Sequence, residues 1–266
     1  MSKRKFKNMS RTSLMHYGKL VFRSLLFFAA LWMYFVSGGD LLGGGWRQQL
    51  VLGVIWVVFA VEMALRFFPS GMESMGCQKQ FARNFRPTVR QTPRLIPSWR
   101  TASVVLAWGL LNGCIGHLYF KGIIDQGMLV LISLAYSVCD MICILLFCPF
   151  QTWFMKNKCC TSCRIYNWDY PMMFTPLLFL KNAYTGSLVL MAFCLLVRWE
   201  YTVHRYPERF SETTNASLAC VNCQEKLCFH KKQLRRFLAK NGHLVQDVAE
   251  TLLVGKDAAE EAGEQI

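Results

Sequence analysis

Charged residues are scarce in this sequence, and long stretches of it have none. Charged residues make up 17% of the 266 positions, and apolar residues make up 53%. A soluble domain carries roughly 25% charged residues. Negative charges are rarer than positive ones, since the sequence has 16 Asp and Glu but 30 Lys and Arg. Because the basic residues collect in loops beside apolar runs, the composition predicts an integral membrane protein, and we expect no nucleic-acid partner.

The sequence also lacks the short motifs that are typical of common enzymes and cofactor-binding proteins. It contains no phosphate-binding P-loop, no GxSxG turn, no HExxH helix and no CxxCH haem attachment site. Bis-histidine haem ligation needs two histidines at one depth. His16 and His117 fall at opposite ends of their predicted spans. We therefore predict no catalytic residue, and enzymatic activity is not indicated.

Four apolar runs predict an all-α bundle of transmembrane helices over residues 20–150. The predicted spans are residues 20–36, 49–68, 101–120 and 127–150, after a basic N-terminus of residues 1–19. Residues 1–23 and 66–100 each hold seven Lys and Arg, whereas the two other loops hold one each. The positive-inside rule then predicts a multi-pass protein of the inner or plasma membrane with a cytoplasmic N-terminus.

Three charged residues near the ends of these spans have simple explanations. Arg23 is expected to extend its side chain to the lipid headgroups. Glu62 and Arg66 are four apart, which predicts an ion pair within one helix.

The apolar segment of residues 171–203 is too long for one span and too short for two. Pro171, Pro176 and Lys181 interrupt its first half, and only residues 185–203 could cross as a regular helix. A single crossing would put the ten basic residues after position 197 outside. A segment that enters and returns, or one that lies along the membrane interface, would keep them inside, and the charge distribution favours an inner tail.

Two clusters of cysteines flank this segment and predict a metal site. The first cluster lies in residues 151–170, and the second lies with an amphipathic helix in residues 204–240. Cys160 with Cys163, and Cys220 with Cys223, have the CxxC spacing, which presents two thiolates to one ion; four sulfurs make a tetrahedral zinc site. Cys159, Cys228 and His230 are less suited to that ion. The six thiols also allow an iron–sulfur cluster, and disulfides or plain thiols stay open.

Other polar residues are candidates for supporting roles. Arg164, Asn167 and Asp169 follow the first cluster, either as an outer shell to the sulfurs or as part of an interfacial belt. Asp140 lies about 20 Å and Asn112 about 12 Å from the outer ends of their helices. An acid at that depth is a functional candidate, and a paired contact between helices is the simpler account.

These features predict a scaffold or partner-docking protein. Zinc would hold together a small cytoplasmic cap, anionic lipids of the inner leaflet would bind the basic loops, and a protein partner would dock on the cap. The alternative is a membrane redox protein with an iron–sulfur cluster. A channel or transporter is a third hypothesis, which depends on Asp140 and Asn112 alone. Residues 241–266 are expected to form a short helix and an acidic tail.

Overall fold

The fold is all-helical in the residues that the computed structural model describes, which are 11–39, 41–42, 45–69, 75–89, 92–157, 159 and 162–222. The predictions for residues 223–266 lie outside this set. All the described residues belong to one compact unit. The α-helices are α1 Arg11–Val36, α2 Trp46–Phe67, α3 Met75–Gln78, α4 Ser98–Phe120, α5 Gln126–Leu145, α6 Asp169–Phe174 and α7 Ala183–Arg205. Short 3-10 turns and a π-helical turn, Phe150–Phe154, complete the chain.

Five helices in the described residues are long and apolar enough to cross a membrane. They are Ser13–Val36, Trp46–Phe67, Ser98–Phe120, Gln126–Leu145 and Ala183–Arg205. The four spans predicted first are thus confirmed as helices. The fourth ends at Leu145 rather than at residue 150, because the chain turns at Leu146 and starts the π-helical turn at Phe150.

Hydrogen bonds between the helices fix which helix ends lie together. We call the end of the bundle where α1 begins the near end, and the opposite end the far end. Tyr34, late in α1, donates to the Asp125 carboxylate, which caps the start of α5, at 2.6 Å. Trp56 of α2 donates to Ser187 of α7 at 2.8 Å, and Arg198 of α7 donates to the Phe67 carbonyl oxygen. Helices α2 and α7 therefore run in the same direction, and α7 ends at the near end.

Residues 169–182 form a broken segment that crosses the inside of the bundle. It starts with α6, continues as a 3-10 turn, Thr175–Phe179, and ends in extended backbone before Asn182 caps α7. At its start Asp169 binds Arg66 near the end of α2, and ten residues later Phe179 packs on Phe120 at the far end of α4. The segment rises to the far end and α7 returns, while Lys181 is exposed near the turn.

Irregular backbone at this depth must be covered by protein, because lipid cannot bond its free N–H and C=O groups. Tyr170, Met173, Phe174 and Leu177 are each at most 5% exposed, so neighbouring helices enclose the segment. The Ser133 hydroxyl of α5 donates to the Met173 carbonyl oxygen at 2.9 Å. The expectation that residues 171–203 are too short for two passes is therefore wrong, because the irregular first half passes through the bundle and α7 is long and apolar enough to pass back.

Three stretches at the near end are bonded into what we call the loop layer, which comprises the described residues 75–89, 92–97, 146–157, 159, 162–168 and 206–222. Asn215, which is fully buried, donates to the carbonyl oxygens of Lys79 and Arg209 at 3.1 and 2.9 Å. Thr88 N–H donates to the Thr214 carbonyl oxygen at 3.1 Å. The chain that follows α7 therefore lies on the same side of the bundle as the basic loop between α2 and α4.

Candidate functional site

Arg23 is at the centre of a network of charged residues inside the bundle. Its guanidinium donates to Glu62 Oε2 at 2.6 Å, Asp140 Oδ2 at 3.2 Å and the Ser137 carbonyl oxygen at 3.0 Å. Only 2% of the side chain is exposed. The expectation that Arg23 extends to the headgroups is therefore wrong: two carboxylates of neighbouring helices hold it in the bundle.

Glu62 receives three partners from two other segments. Besides its bond with Arg23, Glu62 forms an ion pair with Lys19 Nζ at 3.3 Å. It also accepts a hydrogen bond from the Tyr170 hydroxyl at 3.1 Å. Lys19 and Arg23 are four residues apart on α1, so one turn of helix brings both cations to the same carboxylate. Glu62 thereby joins α1, α2 and α6.

A second pair extends the network towards the start of the broken segment. Arg66 binds Asp169 with N–O distances of 2.8 and 2.5 Å, and both side chains are at most 6% exposed. The same guanidinium lies 4.7 Å from the centroid of the Tyr170 ring, in a cation–π contact. Glu62 and Arg66, whose spacing predicts a local pair, thus each also bind a residue of another segment.

The network is balanced in formal charge. Three cations, Lys19, Arg23 and Arg66, face three carboxylates, Glu62, Asp140 and Asp169. A buried charge without a partner costs several kcal/mol, and pairing with additional hydrogen bonds offsets that cost. His16, two turns before Arg23, is buried as well, and its Nδ1 has no hydrogen-bond partner in the described residues. These ion pairs join four helices, α1, α2, α5 and α6, and loss of one charge would leave its partners unpaired.

Asp140 and Asn112 do not meet. Asp140 is bound to Arg23, the interhelical pairing expected as its simpler account. Asn112 is 2% exposed and donates to the Trp108 carbonyl oxygen of its own helix at 3.0 Å. The two polar residues that suggested a channel therefore belong to different surroundings.

The predicted metal ligands are only partly within the described residues. Cys159 and Cys163 are buried in the loop layer. Cys220 starts a 3-10 turn, and its side chain is outside the described set, as are Cys160, Cys223, Cys228 and His230. Among the described residues, no three His, Cys, Asp or Glu side chains are grouped closely enough to hold a metal ion.

The three residues predicted as an outer shell to the sulfurs bind other groups. Arg164 forms a two-pronged pair with Glu200 of α7, with Nη1 2.6 Å from Oε1, and Trp168 donates to the same oxygen at 2.7 Å. Asn167 donates to Gln80 Oε1 at 2.6 Å, and Asp169 binds Arg66. All three attach the loop after the first cysteine cluster to other segments of the bundle.

Sequence reasoning missed that Arg23 and Glu62 belong to one site with Asp140. A signal was present, because Arg23 lies in one apolar run, Glu62 and Asp140 lie in two others, and their charges are opposite. Glu62 and Asp140 are each five residues from the near end of their helix, or about 8 Å.

Comparison of the chain with known protein families, with curated proteins and with solved structures finds no match. Any function assigned to it must therefore be argued from the arrangement of its own residues.

Proposed function

We propose that this protein is a membrane scaffold whose loop layer is a cysteine-rich cytoplasmic cap, closed by one structural zinc ion, that docks a protein partner. The zinc ligands are Cys160, Cys163, Cys220 and Cys223. The observation that carries the proposal is the path of the chain between the two clusters. The broken segment rises to the far end and α7 returns to the near end, where Arg198 binds the Phe67 carbonyl oxygen.

This path removes the main difficulty of a shared site, which is the 56-residue gap between Cys163 and Cys220. The Ser162 hydroxyl, next to Cys163, donates to Glu212 Oε1 at 2.7 Å. Cys163, Ser162 and Glu212 line one cavity of about 190 Å³. The surroundings of Cys163 therefore include the segment that leads to Cys220, which supports a site built from both clusters.

Zinc would supply folding free energy to the cap rather than chemistry. Thiolates bind Zn²⁺ tetrahedrally, and a closed four-ligand site leaves no position for a substrate. The helices below are already held by the buried ion pairs around Arg23. The cap would then present a fixed surface on a fixed bundle, which is what a docking protein requires.

Exposed residues of the loop layer and of the first turn of α4 support a lipid partner. Arg83, Arg86 and Arg94 are exposed there, and Trp99 and Trp153 are each 65% exposed. Basic residues near an anionic leaflet contribute about 1 kcal/mol each, and tryptophans favour the membrane interface. We propose anionic lipids as ligands of this surface, with the protein partner on the zinc-bound cap above it.

The test is elemental analysis of the purified full-length protein and its single Cys→Ser variants. We expect one zinc per chain in the wild type, its loss at positions 160, 163, 220 and 223, and its retention at 159 and 228. A partner that copurifies with the wild type should be lost together with zinc. Cys194→Ser is the matched control, because that cysteine is exposed on α7.

Two outcomes contradict the proposal. Full metal retention in Cys160→Ser and Cys223→Ser would show that these thiols do not bind the ion. A brown protein that contains iron would instead favour the redox alternative with an iron–sulfur cluster.

A further inference from the structure

Two other cysteines meet where α5 ends. The α5 helix stops at Leu145, and the amide groups of Leu146 and Phe147 both donate to the Ile142 carbonyl oxygen, at 2.7 and 3.1 Å. This tight turn brings Cys148 back towards Cys143, so that the two thiols lie close enough to interact. Neither residue belongs to the predicted zinc ligands.

Cys148 has the surroundings of an attacking thiol. Its sulfur accepts the backbone N–H of Gln151 at 3.4 Å, and a hydrogen bond to the sulfur stabilises the thiolate form. Both cysteines are partly exposed, and Cys148 lies beyond the end of the spanning helix. The neighbouring Cys139 is exposed on α5 and has no such backbone donor among the described contacts.

We propose that Cys143 and Cys148 are a redox-active dithiol that exchanges with low-molecular-weight disulfides. The Cys148 thiolate attacks one sulfur of the external disulfide, whose S–S bond breaks and releases one thiolate. The Cys143 thiolate then attacks the Cys148 sulfur, forms the internal disulfide and releases the second thiolate. The two protons of the cysteines pass to the two released thiols, so the protein is oxidised by two electrons and the external disulfide is reduced.

Hydrogen bonds connect this pair to the first cysteine cluster. The Gln151 side chain donates to the Asn157 carbonyl oxygen at 3.1 Å, and Asn157 Nδ2 donates to the Cys159 carbonyl oxygen at 3.0 Å. Formation of the internal disulfide moves the Cys148 sulfur relative to the Gln151 amide. Oxidation of the dithiol would therefore displace the backbone of the first cysteine cluster through the side chains of Gln151 and Asn157.

The experiment treats the full-length protein in detergent with oxidised glutathione, followed by acid quenching, alkylation and mass spectrometry. We expect the peptide that contains Cys143 and Cys148 to lose two hydrogens and to escape alkylation, and dithiothreitol should reverse both changes. Cys139 and Cys194 should remain alkylated. Cys143→Ser should trap glutathione on Cys148, because the second attack is then impossible.

The result that would overturn the proposal is an alkylated, unoxidised pair in the wild type after treatment, or oxidation no faster than adduct formation at Cys139. Glutathione trapped on Cys143 in Cys148→Ser, but not on Cys148 in Cys143→Ser, would also overturn it by reversing the roles. The wild-type measurement decides the matter even if a variant fails to fold. Zinc analysis is independent of this result, so failure here leaves the scaffold proposal intact.

Discussion

At the scale of single residues, Arg23 allows two carboxylates to lie inside the bundle because it binds both of them. A guanidinium has five N–H donors in a planar fork, and here three of its bonds reach Glu62, Asp140 and the Ser137 carbonyl oxygen. Lysine, with a single nitrogen, could not reach these acceptors in the same geometry. The phenyl ring of Phe59 lies 5.4 Å from the guanidinium and covers it further. Removal of Arg23 leaves two partly buried carboxylates without their common partner.

The first prediction is that Arg23→Leu destabilises the protein by about 3–5 kcal/mol, the cost of breaking a buried ion pair from one side. Thermal unfolding of the purified protein in detergent measures this loss. Arg47→Leu is the matched control, since Arg47 is exposed at the start of α2, and it should change stability little. Equal losses of stability in the two variants would show that the ion pairs around Arg23 contribute no more to the free energy of unfolding than an exposed arginine does.

At the scale of elements, the broken segment depends on close approach to α4. Gly116 of α4 is buried, and a Cβ atom there would lie 2.4 Å from the Phe179 ring. Phe179 is held in place because its ring also packs on Phe120, 5.8 Å between centroids. Glycine at position 116 therefore allows the segment to reach the far end of the bundle before α7 begins.

The second prediction is that Gly116→Ala destabilises the protein by about 1–3 kcal/mol, because a well-packed contact is overfilled. Gly113→Ala on the same helix is the control, as nothing lies within 4 Å of a Cβ atom at that position. It should be neutral or slightly stabilising, since alanine favours helix more than glycine. Unfolding in detergent compares them, and Phe179→Leu should restore part of the loss in Gly116→Ala. No difference between the two alanine variants would contradict the role of this contact.

At the scale of the whole molecule, the out-and-back path of residues 169–205 decides the topology. Five long helices would by themselves put the two chain ends on opposite sides of a membrane. The broken segment adds one more crossing, so the chain after α7 returns to the end where α1 begins. The positive-inside rule predicts that this end, with the basic loop between α2 and α4, faces the cytoplasm.

The third prediction is that the C-terminus and the N-terminus share the cytoplasmic side. A fluorescent protein fused after Ile266 should fluoresce in bacteria, whereas alkaline phosphatase fused there should be inactive. Alkaline phosphatase inserted after Lys121, in the loop between α4 and α5, is the control and should be active. An active phosphatase at the C-terminus would contradict the return of α7.

The sequence by itself determined the class of the protein, the positions of four spans and the basic side of the bundle. These follow from local composition, because about twenty apolar residues suffice for a crossing and Lys and Arg avoid translocation. The CxxC spacings likewise predict metal ligands from local geometry alone, and that prediction awaits its test.

Only the tertiary structure decided which charges pair and where the chain after residue 170 goes. Glu62 and Arg66 satisfy the spacing of a local pair, yet Arg23 and Asp169 also bind them from other segments. Pro171 and Pro176 indicate an interrupted helix, but whether it lies on the membrane or inside the protein depends on neighbours that cover its backbone. These contacts join residues more than thirty positions apart, and no local pattern encodes them.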